Sequence, residues 1–167
     1  MTGQLATHSG MLLDELCIWY YASIFTALFP KTALEKLGGL DESVTYGEDF
    51  DFAVRLALEF PFHYVPKFVY RTRMHGTNRH RSFTTSRKTQ YLETIQRNLG
   101  SRPGIAAQWR YRRAMAHWLW RLGVDIQAEG RSREAADYFR RALAFQPTKL
   151  SALRGWLASR RTPEGRQ

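Results

Sequence analysis

The residues best suited to chemistry are grouped in two short runs. One is Gly47-Glu48-Asp49-Phe50-Asp51, with Arg55 four positions after Asp51; the other is Arg71-Thr72-Arg73-Met74-His75, whose histidine stands 26 residues beyond Asp49. A carboxylate pair opening a helix sits beside unsatisfied N–H groups and the positive end of the helix dipole. It stays ionised there and able to take a proton from a hydroxyl. Acidic residues in a first turn are also ordinary helix caps, so residue type alone leaves both readings open. Arg71 and Arg73 offer planar, fixed-charge donors to phosphate oxygens. His75 offers an imidazole that can ligate a divalent ion. The plain alternative for all three is a solvated basic loop.

The spacing Asp49-x-Asp51 invites a metal site. On a helix, residues two apart point about 200° away from each other. Both carboxylates could not grip one ion without unwinding, so Asp51 is read as the partner of Arg55.

These residues need elements to hold them. Pro30 to Gly39 reads as a short helix with Ala33, Leu34 and Leu37 on one face and Gly38-Gly39 as its stop. A turn at Leu40-Asp41-Glu42 follows. A second helix is predicted after Gly47, burying Phe52, Leu56 and Phe60 and closed by Pro61. From Phe62 the residues become aromatic and β-branched: His63, Tyr64 and Val65, then Phe68, Val69 and Tyr70 after Pro66. They predict two short strands or one interrupted strand. Arg71 to Thr85 reads as a basic loop, and a third helix carries the stripe Tyr91, Leu92, Ile95 and Leu99 before Gly100 and Pro103.

The remainder is predicted to be helical. Leu119, Leu122-Gly123, Ile126, Ala135, Phe139 and Pro147 fall at spacings that resemble one tetratricopeptide repeat over residues 116–149, with Gly130 and Ala142 at small-residue positions. Leu150 to Ser159 is a candidate capping helix. One such unit cannot bury its face alone, so it is expected to dock on the first part of the chain or to be the remnant of a longer array. Trp109, Trp118 and Trp120 lie among arginines, a pattern that could stack nucleic-acid bases. Met115, Trp118, Leu119, Leu122 and Ile126 share one helical stripe, however, which favours core over nucleic-acid contact.

The chain has 167 residues and a formal net charge of +10, with 44% hydrophobic and 24% charged residues, the composition of a folded globular protein. The charge is unevenly placed. Residues 1–70 hold four Lys/Arg against nine Asp/Glu, while residues 71–167 hold twenty-one against six. The basic part therefore suits a polyanionic partner: a nucleotide diphosphate, a nucleic acid or an anionic membrane surface. Cys17 is the sole cysteine, which excludes an internal disulfide framework and a two-cysteine zinc site. The apolar stretch from Cys17 to Phe29 is too short to span a bilayer. The first ten residues lack the basic start of a signal peptide. A cytoplasmic location is expected, with or without attachment to an anionic membrane.

Taken in order, Leu28-Phe29-Pro30-Lys31, Gly38-Gly39-Leu40-Asp41-Glu42, Gly47-Glu48-Asp49-Phe50-Asp51 with Arg55, Tyr64-Val65-Pro66 and Tyr70 to Asn78 resemble the C-terminal half of a family 2 glycosyltransferase domain of the GT-A fold, over about residues 24–95. The resemblance implies an α/β fold class for residues 1–100: a partial GT-A domain, mostly helical with a few short strands. An all-α helical hairpin region over 104–160 would follow. It also implies an inverting transferase that moves a sugar from a nucleotide-diphosphate donor to an acceptor hydroxyl. Asp49 matches the family's base and Glu48 an acceptor contact, Arg71 and Arg73 would bind substrate, and His75 would approach a divalent metal, Mg or Mn. The nucleoside-binding half of that family, with its upstream Asp-x-Asp loop, has no counterpart here. The chain is therefore expected to be an N-terminally truncated or split member, inactive alone and completed by a complementary half or another protein partner. A second expectation, of another class, is a non-catalytic interaction module that works through its tetratricopeptide-like helices.

Overall fold

The computed structural model describes residues 9–19, 24–71 and 85–161. Contacts divide the chain into two units, Met1–Phe83 and Thr84–Gln167.

The first unit begins with α1 (Leu13–Leu16) and a single 3-10 turn, Ile24–Thr26. Next comes α2 (Lys31–Leu37), where Pro30 supplies the extended entry and Gly38 the exit. At Gly38 the backbone turns left-handed, φ 73°, and the N–H of Gly39 returns to the Leu34 carbonyl at 3.1 Å, closing the helix end. α3 (Glu48–Glu59) opens on Gly47, also left-handed at φ 79°, a conformation that costs a side-chain-bearing residue free energy. It ends where Phe60 becomes extended ahead of Pro61, as the residue before a proline is pushed to do.

α3 is the centre of this unit. Its Ala57 packs with Leu12 and Leu16 from around α1, while Phe52 and Leu56 pack with Ala33 of α2. Phe29 meets Phe52 edge to face at 5.2 Å. Burying each such side chain contributes on the order of 1.5–3 kcal/mol, before the entropy of ordering it.

The α/β expectation is overturned. Among the described residues there are helices and turns but no strand or sheet. One isolated antiparallel bridge survives, Gly10 with Phe62, made by reciprocal N–H to O=C bonds of 2.8 Å. The β-branched and aromatic run after it forms no ladder and bends at Lys67, whose N–H donates to the Val65 carbonyl at 2.8 Å; Phe68 is fully exposed and Val69 is 64% exposed. The reason is physical. Strand propensity describes how well a residue fits a half-buried pleated surface, and a strand forms only where a neighbour takes up its N–H and C=O groups.

The second unit has four helices among its described residues: α4 (Thr85–Leu99), α5 (Ile105–Ala128), α6 (Ser132–Phe145) and α7 (Leu150–Arg161). The stripe Tyr91, Leu92, Ile95 and Leu99 is buried, and α4 packs on α5. The sequence grouped this helix with the first region; its contacts place it in the second unit. Tyr91 meets Trp118 edge to face at 4.8 Å. Within α5, residues 114–119 are buried without a break, because this helix is packed against α4 on one side and against α6 and α7 on others.

The tetratricopeptide-like positions form one cluster. Ile126, Ala135 and Phe139 are fully buried, with Trp120, Tyr138 and Trp156 against them. A Cβ on Gly123 would lie 2.7 Å from the Phe139 ring, and one on Gly155 would lie 2.6 Å from it. The backbones of α5 and α7 therefore both close on the phenyl ring of α6, and they can do so because they carry no side chain there. No helix among the described residues is long and apolar enough to cross a membrane.

Candidate functional site

The acidic run is placed by its helix and by one arginine. Glu48 and Asp49 occupy the first turn of α3. Glu48 is exposed and Asp49 half-buried. Asp49 Oδ1 accepts the Phe50 backbone N–H at 2.8 Å, which ties down one carboxylate oxygen.

Asp51 is different. It is 1% exposed, and its Oδ2 accepts from Arg55 Nε at 2.7 Å. Arg55 Nη1 donates to the Leu37 carbonyl at 2.7 Å and Nη2 to the Gly39 carbonyl at 2.8 Å. Its guanidinium also lies 5.4 Å from the centre of the Phe52 ring. One side chain thus fixes the start of α3 to the exit of α2, using the rigid fork of donors that only arginine offers. Between them, Asp41 Oδ1 accepts from both the N–H and the hydroxyl of Ser43, at 3.0 and 2.6 Å, closing the connecting turn. The result is a braced platform from which Glu48 and Asp49 project.

The sequence reading of Asp51 as the partner of Arg55 therefore holds, and Asp49 and Asp51 do not share a ligand-binding face. What the sequence missed is the reach of Arg55 to two carbonyls. The visible signal was Gly38-Gly39, a helix exit whose last carbonyls need donors.

Of the other expected site residues, Arg71 is exposed at the end of the run that follows Phe62. Arg73 and His75 lie outside the described residues. Among the described residues no three His, Cys, Asp or Glu side chains gather to hold a metal ion, so Glu48 and Asp49 alone do not fit a metal centre. A shallow, open depression of about 500 Å³ lies in the second unit, lined by Gly104, Ile105, Gln108, Trp109 and Arg112, and shares no residue with the α3 platform.

The second unit holds titratable groups the sequence did not single out. His117 is buried on α5, and burial, with Lys149, Arg121 and Arg113 adding to it, brings its imidazolium down to about 3. Lys88 of α4 pairs with Asp125 of α5. Burial, reinforced by Arg121, still lowers its ammonium to about 8. The Lys88–Asp125 pair links α4 to α5.

No protein-family model matches the chain, and neither does any curated protein or solved structure.

Proposed function

We propose that the first unit supplies the acceptor side of a sugar-transfer reaction, with Asp49 as general base and Glu48 as a contact to the acceptor. The observation that carries this reading is the Arg55 brace: it ties Asp51, in the first turn of α3 and two residues after Asp49, to the carbonyls at the exit of α2. Preorganised placement of a base is what a hydroxyl nucleophile needs. The acceptor oxygen would attack the anomeric carbon of the donor as the bond to the nucleotide diphosphate breaks. Its proton would pass to the free oxygen of Asp49, and the diphosphate would leave with the bonding electron pair. The order of motifs that resembles family 2 glycosyltransferases supports the same assignment.

This chain is expected to bind acceptor saccharides. Saturation-transfer measurements with a panel of oligosaccharides test it. Binding lost in Asp49→Asn, with an unchanged unfolding midpoint, is the expected result; binding indifferent to that change contradicts it. In any assembly of the chain that does transfer sugar, Asp49→Asn is expected to lower kcat by roughly a hundredfold to ten-thousandfold.

A second reading is favoured by the packing around Phe139. The second unit has its own buried cluster, and the spacing of its residues resembles a tetratricopeptide repeat, which suits a module that binds a partner. On that reading, recruitment of the partner persists in Asp49→Asn and depends on α5 to α7.

A further inference from the structure

α7 has two faces of different character. It packs inward through Ala152, Gly155 and Ser159: Ala152 and Ser159 are buried, and Gly155 lies against the Phe139 ring. On the opposite face Leu150, Leu153 and Leu157 recur at helical spacing and are 65%, 37% and 44% exposed. At about 100° per residue, Arg154 falls on one side of this stripe and Arg160 on the other. Arg160 is held there with its guanidinium 4.9 Å from the Trp156 ring centre. Lys149 immediately precedes the helix, and α7 contains no Asp or Glu.

An apolar stripe bordered by cations suits an occupant that is apolar beneath and anionic at its surface. A second copy of this helix would set arginine against arginine, which repels. A nucleic acid would match the arginines but leave the leucines without a partner. An anionic bilayer satisfies both: leucines enter the boundary between headgroups and acyl chains while arginines reach lipid phosphates on long, bending stems. The helix would lie on the bilayer, since none of the described helices can span one. We propose that the outer face of α7 docks the protein on the surface of an anionic phospholipid membrane. This rests on α7 alone, so its failure leaves the carboxylate reading of α3 untouched.

Co-sedimentation of the full chain with phosphatidylcholine vesicles, with and without phosphatidylglycerol, tests the proposal. Binding is expected only when phosphatidylglycerol is present, and it should weaken as salt is raised. Leu153→Ser with Leu157→Ser should lower partitioning about tenfold or more. Arg154→Gln should lower it about fivefold. Both variants should keep the parent's helical circular dichroism, because the altered side chains face solvent. Equal binding to neutral vesicles, or no binding to either kind, would overturn the proposal. So would leucine variants that bind as well as the parent, which would leave the attraction to the chain's general basic charge. A dimer in vesicle-free solution that is lost in Leu157→Ser, or RNA binding lost in the same variant, would also overturn it by giving the face another occupant.

Discussion

Arg55 ties three acceptors of the first unit together. It neutralises a fully buried carboxylate and satisfies two carbonyls at the end of α2. Removing it takes a cation from the buried carboxylate and a donor from each of two carbonyls, and breaking a buried ion pair by deleting one partner costs about 3–5 kcal/mol. Arg55→Ala is therefore expected to lower stability by about that amount in denaturant titration, and Arg55→Lys to restore only part of it, because one ammonium cannot span the three acceptors. A loss below about 1 kcal/mol would mean the brace does not bear on folding. His117 gives a second residue-scale expectation, of pH dependence. Its folded value is about 3, well below the ordinary 6.5, so between those limits the unfolded chain binds a proton that the folded chain does not. Stability contributed by the neutral imidazole is complete above about pH 6.5 and is lost as pH falls toward 3. Thermal melts at about pH 7 and about pH 4.5 should separate more for the parent than for His117→Leu; equal separation would show that other groups set the acid limit.

At the scale of elements, helices were legible where glycine and proline dictate the backbone locally. The Pro30 start, the Gly38 exit, the Gly47 entry and the Pro61 stop all act through their own dihedral angles and needed no tertiary partner to be read. The run from Phe62 to Tyr70 was misread for the converse reason: its residues suit a strand, but strand formation belongs to a neighbour, and beyond the bridge at Gly10 the described residues supply none. The Arg55 contacts were half legible. Asp51 is one helical turn away and follows from spacing, whereas Leu37 and Gly39 belong to another helix end and follow only from the fold. The tetratricopeptide-like spacing was informative because it encodes close approach. Gly123→Ala would drive a methyl group to 2.7 Å from the Phe139 ring. It is expected to cost about 1–3 kcal/mol by overpacking, although alanine is the better helix former. Phe139→Leu should destabilise the parent but recover part of the loss in the Gly123→Ala background, a coupling that a double-mutant cycle measures. Additive effects would show that the ring and the glycine do not meet.

For the whole molecule, charge is divided along the chain. The acidic residues of the first part include the α3 carboxylates, while the basic excess of the later part includes the cations bordering the outer face of α7. The candidate site was legible as a motif and illegible as a geometry. Glu48 and Asp49 could be found by residue type and order, but whether they project from a fixed platform depended on a guanidinium bridging two helices. Arg73 and His75 lie outside the described residues, so the platform rests on Gly47 to Arg55 and the exit of α2. The most direct measurement is an amide chemical-shift map of the intact protein titrated with an acceptor oligosaccharide. The expected result is a set of shifts confined to Gly47, Glu48, Asp49, Phe50 and the Gly38-Gly39 turn, absent in Asp49→Asn. Shifts that avoid α3, or that persist unchanged in that variant, would contradict the assignment of Asp49 to the sugar hydroxyl.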